Sequence, residues 1–129
     1  MDAPTITLGK HPTTLAKPST FTALAMARGP DAFDSMQQAE IFALQAMSLA
    51  VCWPENKTWP GKFRPRKWRA SMKVDEYGAA IFDDLISAGH GVGAILEAGI
   101  EAYKFCMMSL PRKQEVAEAE GFSEAPVGG

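Results

Sequence analysis

The sequence predicts a mainly α-helical domain of about four helices with a short N-terminal β-hairpin. Three observations predict it. Apolar residues recur at helical spacing through most of the segments from 20 to 109. Alternation at a spacing of two is confined to residues 5–16. One stretch, 53–73, carries Pro54, Pro60, Gly61 and Pro65 and keeps no helical period.

The 129 residues fit one domain, large enough to bury about two-thirds of its unfolded surface. That domain is expected over residues 1–111, with a flexible acidic tail at 112–129. In the hairpin, Thr5–Leu8 and Thr13–Ala16 flank the turn Gly9-Lys10-His11-Pro12. Ser19 is the expected N-cap of a first helix, Thr20 to Arg28, with Phe21, Leu24 and Ala25 on one face. Gly29-Pro30 ends it. Asp31 is the expected cap of one long helix to Cys52, with Asp34 in its first turn. Phe33, Met36, Leu44, Met47 and Val51 form one stripe on it, and Phe42, Ala46 and Leu49 a second. From Ile41 onward only Gln45 and Ser48 are polar, which marks a helix surrounded by others.

A long surface loop follows, 53–73, of a length that tends to be functional or disordered. Asp75 is the expected cap of the next helix, with Tyr77, Ile81 and Leu85 inward and Asp83 and Asp84 in solvent. Gly89-His90-Gly91 makes a tight turn. The last helix runs from Val92 to about Ser109. Ile95, Leu96, Ile100, Tyr103 and Met107 point inward, Glu97, Glu101 and Lys104 outward, and Pro111 stops it.

The net charge of −2 hides an asymmetry. Residues 57–73 carry seven basic side chains and no acid, while the rest of the chain holds 6 basic against 15 acidic, a net of −9. Such a molecule can set its basic patch against an acidic partner or against its own copies, so a homo-oligomer stays open. Cys52 and Cys106 read as two reduced core thiols. No charged leader precedes an apolar run, and the longest uncharged stretch, Ile41 to Pro54, is short of the about 20 residues of a membrane span. A cytoplasmic protein without membrane contact is expected.

No catalytic, cofactor or metal site is expected. Gly89-His-Gly-Val-Gly-Ala94 fits a loose dinucleotide pattern, but a helix precedes it where a strand is needed. As the recognition helix of a helix-turn-helix, Val92–Glu101 offers no Arg, Lys, Asn or Gln to bases and two acids to phosphate. His11 and His90 lack ligand-type neighbours at metal spacing. Asp83 and Asp84 diverge by about 100° on a helix and share no site. The serines have neither a nucleophile elbow nor a paired histidine.

The candidate partner-binding residues lie in the basic loop: Trp59, Lys62, Phe63, Arg64, Arg66, Lys67, Trp68 and Arg69. Aromatics among cations suit single-stranded nucleic acid. They equally suit a staple, in which the rings fold back onto the core, or a protein contact anchored on Trp and Arg. The staple and the protein contact outweigh nucleic acid, because no neighbouring helix presents a base-reading face.

The layout resembles the small tail assembly chaperones of long-tailed bacteriophages and related gene transfer agents. The likeness lies in a β-type N-terminus, ITLGKHPTTLAKPST, before a helical body, and in Tyr77–Gly89, YGAAIFDDLISAG, which is similar to a "YG…D.L…G" helix in such proteins. It covers about residues 5–110 and has no catalytic signature. It implies a non-enzymatic protein of the host cytoplasm, absent from the finished particle. Such a protein holds the tape measure protein soluble and recruits tail tube subunits around it. An adaptable apolar groove would be needed, and Met36, Met47, Met107 and Met108 suit one, although core filling explains them as well. The basic loop matches no family pattern. A small virion protein at the head–tail junction is the alternative, and a nucleic-acid-binding accessory protein a more distant one.

Overall fold

The computed structural model describes residues 3–29 and 31–110. The architecture is mainly α, with a two-stranded antiparallel hairpin at the N-terminus. Strands β1 (Thr5–Thr7) and β2 (Pro12–Thr14) pair Thr5 with Thr14, Ile6 with Thr13 and Thr7 with Pro12. Pro12 therefore belongs to the strand and not to the turn. Gly9 takes φ 101°, which a glycine allows without strain. Alternation puts Ile6 and Thr13 inward, and Leu8 and Leu15 extend the same buried face. The chain leaves the hairpin tied to the helical body, because Ala16 N–H donates to the Cys52 carbonyl at 2.7 Å.

Helix α1 spans Thr20–Met26, and the Ser19 hydroxyl accepts from Thr22 N–H at 3.1 Å, as its cap role requires. Its buried face is not the expected one. Ala23 and Met26 are buried, whereas Phe21 and Leu24 stand largely in solvent. The long helix expected from Asp31 is broken. A single turn, α2 (Ala32–Ser35), stops at Met36, and α3 (Gln38–Cys52) begins after two extended residues. Asp31 makes no side-chain cap. The new start is fixed instead by Glu40, whose carboxylate accepts from Gln37 N–H at 3.4 Å.

Helix α3 is the central element. Its buried residues include Leu44, Met47, Leu49 and Cys52, and both α4 (Val74–Ser87) and α5 (Val92–Met108) pack on it while barely touching each other. Small residues set these contacts. A methyl on Gly78 of α4 would lie 1.9 Å from the Ala43 carbonyl oxygen, and one on Gly99 of α5 would lie 2.8 Å from Gln45 Cβ. Lys73, not Asp75, occupies the N-cap of α4; Asp75 and Glu76 sit in its first turn, where the helix dipole favours them. Ile81 and Leu85 are buried and Tyr77 half-buried, as expected.

On α5 the inward face is Ile95, Ala98, Gly99, Ala102, Phe105 and Cys106. Leu96, Tyr103 and Met107 are half-buried at its margin, and Ile100 is exposed. The large-residue stripe expected there was displaced by about one position, because close approach to α3 demands small side chains. The helix ends at Met108; Pro111 and the tail 112–129 lie outside the described residues. Among the described residues, no helix is long and apolar enough to cross a membrane.

Candidate functional site

Residues 53–73 form no helix or strand, yet the segment is held at many points. Trp53 and Trp59 are buried at its start, their rings edge to face with centroids 5.4 Å apart. Trp53 Nε1–H donates to the Thr58 carbonyl, closing a small ring of chain. Asp84 is the main anchor. One oxygen accepts from Trp59 Nε1–H at 2.8 Å, and the other accepts from the backbone N–H groups of Lys62 and Phe63, both at 2.9 Å. A carboxylate receiving three donors suits a loop that has no ladder partner of its own. Asp84 is therefore not the solvated residue the sequence suggested, while its neighbour Asp83 is exposed. Gly61 permits the arrangement, since a Cβ there would fall 1.8 Å from Asp84 Oδ2.

Further ties follow along the loop. His90 Nε2 and the Pro60 carbonyl lie 2.8 Å apart, so the ring nitrogen donates. The Tyr77 hydroxyl donates to the Arg66 carbonyl. Burial pushes the Tyr77 phenol above its ordinary range. Arg64 spends its guanidinium inside the loop, donating to the Lys57 carbonyl at 2.7 Å and the Pro54 carbonyl at 3.0 Å. Lys67 pairs with Glu55 at 2.8 Å, which holds that carboxyl below the usual carboxylate range. Trp68 is half-buried and stacks on Phe21 of α1, centroids 6.2 Å apart.

The eight candidate residues thus divide. Trp59 is only 6% exposed and serves the core. Trp68 is committed to Phe21, Arg64 to the loop backbone and Lys67 to Glu55. Phe63 is 77% exposed, and Lys62, Arg66 and Arg69 project into solvent without an ion pair among the described residues. The aromatic rings that would have to stack on bases are mostly occupied by protein.

Between the loop and the start of α1 lies a groove of about 760 Å³. Pro18, Val51, Trp53 and Trp68 give it apolar walls, and Lys17, Arg64, Arg66 and Lys67 give it a cationic rim on which Glu55 is the acid. Ser19, Thr22 and Tyr77 add hydroxyls. The Trp68 indole nitrogen is buried with no hydrogen-bond partner among the described residues. From outside the set picked from sequence, Pro18 lines the groove, and Asp84, Gly61 and His90 hold the loop that forms its wall. The only signal for any of them was the glycine in Pro60-Gly61. Compared with known protein families, curated proteins and solved structures, the chain matches none.

Proposed function

We propose that this chain is a non-enzymatic tail assembly chaperone. It binds an acidic, amphipathic helical segment of a tape measure protein in the groove between α1 and the 53–73 loop. It helps recruit tail tube subunits, acts in the host cytoplasm and leaves before the particle is finished. One observation carries the binding mode: a groove of about 760 Å³ with apolar walls, on whose rim Lys17 and Arg66 stand exposed and outside the described ion pairs, while Arg64 and Lys67 are engaged within the loop. Apolar walls take the apolar face of a helix, and the rim cations select acidic flanks and steer the encounter. Phe21, Leu24 and Phe63, exposed close to the same loop or on α1, extend the apolar contact area. The assignment to tail assembly comes from the resemblance of layout and of the Tyr77–Gly89 helix.

The test is co-expression with the tape measure and tail tube proteins. The chain is expected to co-purify with the tape measure protein and to be missing from purified particles. The double variant Lys17→Glu/Arg66→Glu should weaken that association at least about tenfold while leaving the thermal midpoint in place. Stoichiometric recovery from particles would point instead to a structural role at the head–tail junction. A gel shift with single-stranded DNA that disappears steeply with salt would favour nucleic acid.

A further inference from the structure

Helices α3 and α5 run parallel. Gln45 meets Gly99, and seven residues further along each helix Cys52 meets Cys106. The same offset sets Ser48 and Ala102, both wholly buried, at corresponding positions of the two helices. A repeat of seven on both helices is the spacing that keeps one seam facing its partner over several turns. The seam is lined by small side chains, so the helices come close, and the two cysteine sulfurs end 3.1 Å apart with both residues fully buried. Ser48 turns its hydroxyl back to the Leu44 carbonyl, while Gln45 Oε1, one turn earlier on the seam, is buried without a hydrogen-bond partner among the described residues.

We propose that Cys52 and Cys106 are an oxidisable dithiol that closes to an internal disulfide, joining α3 to α5. The oxidant is a small-molecule disulfide such as oxidised glutathione. One cysteine, as thiolate, attacks a sulfur of the reagent, forming a mixed disulfide and releasing one glutathione thiolate. The second cysteine, after losing its proton, attacks the protein sulfur of that mixed disulfide and releases the second glutathione. Two S–H bonds are lost and one S–S bond forms. The two electrons reduce the reagent's S–S bond, and the two protons end on the released thiols.

The surroundings set the rate. The hydrogen bond shared with the Cys106 thiol, and then burial, push Cys52 well above its ordinary range, so little thiolate exists in the folded state. No reagent reaches a sulfur that is fully enclosed. Oxidation therefore waits for the C-terminal turns of α5 to open, and the dithiol reports how often α5 leaves α3. Once closed, the bond fixes the two ends of a chain segment that contains the whole basic loop and α4.

The test uses the full chain, reduced and then exposed to oxidised glutathione. Remaining thiols are alkylated in denaturant and counted by intact mass. The expected product is a monomer that has lost both alkylation sites together, recovers them with dithiothreitol, and melts roughly 10 °C higher than the reduced form. The single variant Cys106→Ala should yield only a glutathione adduct at Cys52, with no rise in midpoint. Persistence of two alkylatable thiols even at a temperature where the protein opens reversibly would overturn the proposal. So would products limited to glutathione adducts or intermolecular dimers.

Discussion

The indole N–H of Trp59 reaches the carboxylate of Asp84 at 2.8 Å, across 25 positions of sequence. With the Lys62 and Phe63 amides on its other oxygen, this one carboxylate organises the first half of the loop. Asp84→Ala removes the acceptor for all three donors. It should cost about 2–4 kcal/mol in urea unfolding, whereas Asp83→Ala next to it should stay within about 0.5 kcal/mol. Equal effects at the two positions would mean that Asp84 is not the anchor.

Gly61 shares that site. Gly61→Ala drives a methyl into Asp84 and should destabilise by about 2 kcal/mol or more; an Asp84→Ala background should lessen the cost without abolishing it, because the Trp59 indole nitrogen lies 2.5 Å from the same Cβ position. Gly93 is the control. It lies in the first turn of α5 with open space around its Cβ position, so Gly93→Ala should be neutral or more stable by up to about 0.5 kcal/mol. Thermal or urea unfolding of the three variants checks the pattern.

Gly78 is the contact residue of α4 on α3. A methyl would meet the Ala43 carbonyl, a backbone atom that cannot swing aside. Gly78→Ala should therefore cost about 2–3 kcal/mol despite its better helix propensity. If it instead stabilises the protein, α4 does not approach α3 as closely as described.

Trp68→Ala separates staple from contact surface. The ring is half-buried against Phe21, and its removal should cost about 2 kcal/mol of stability. Arg69→Glu, on an exposed side chain with no ion pair among the described residues, should leave stability within about 0.5 kcal/mol. Partner binding measured on both variants then tells whether the loop's outer face has a role beyond stability.

Alkaline pH offers a further check. The folded Tyr77 phenol ionises above its unfolded value of about 10, so between the two values the folded state holds a proton that the unfolded state has lost. Its contribution is complete below about pH 10 and declines as pH rises through that window. Urea midpoints at pH 9 and pH 11 should fall more for the wild type than for Tyr77→Phe. The variant should start lower by about 1 kcal/mol, having lost its hydrogen bond to the Arg66 carbonyl.

The parts of this fold that composition controls were readable in the sequence. A helix with two polar residues among its last dozen has to be central, and α3 is. Alternation over residues 5–16 can form only a strand pair, and it does. The misses have a common cause. Periodicity weighs large apolar residues, but on α5 the closest approach to α3 is made by a glycine, so Ile100 was assigned inward while Gly99, against Gln45, held that place. On α1 two apolar faces compete within seven residues; Ala23 and Met26 take the buried one, and Phe21 lies outside it against Trp68. Asp84 resembles Asp83 in every local respect. Its donors come from a segment with no period, so nothing nearby in sequence marks it. Within the loop, Trp59 and Trp68 turn back onto protein, while Lys62, Phe63, Arg66 and Arg69 face solvent.

Because α4 and α5 share one platform and hardly touch, neither is complete until α3 is in place, and α3 is uncovered until both have been made. During synthesis some fifty-six residues follow Cys52 before Met108 appears. At roughly 5–20 residues per second, an apolar rod that is almost free of charge waits several seconds for its cover. Fusing a reporter after residue 73 and again after residue 110 would show how much of the nascent chain's solubility depends on that delay.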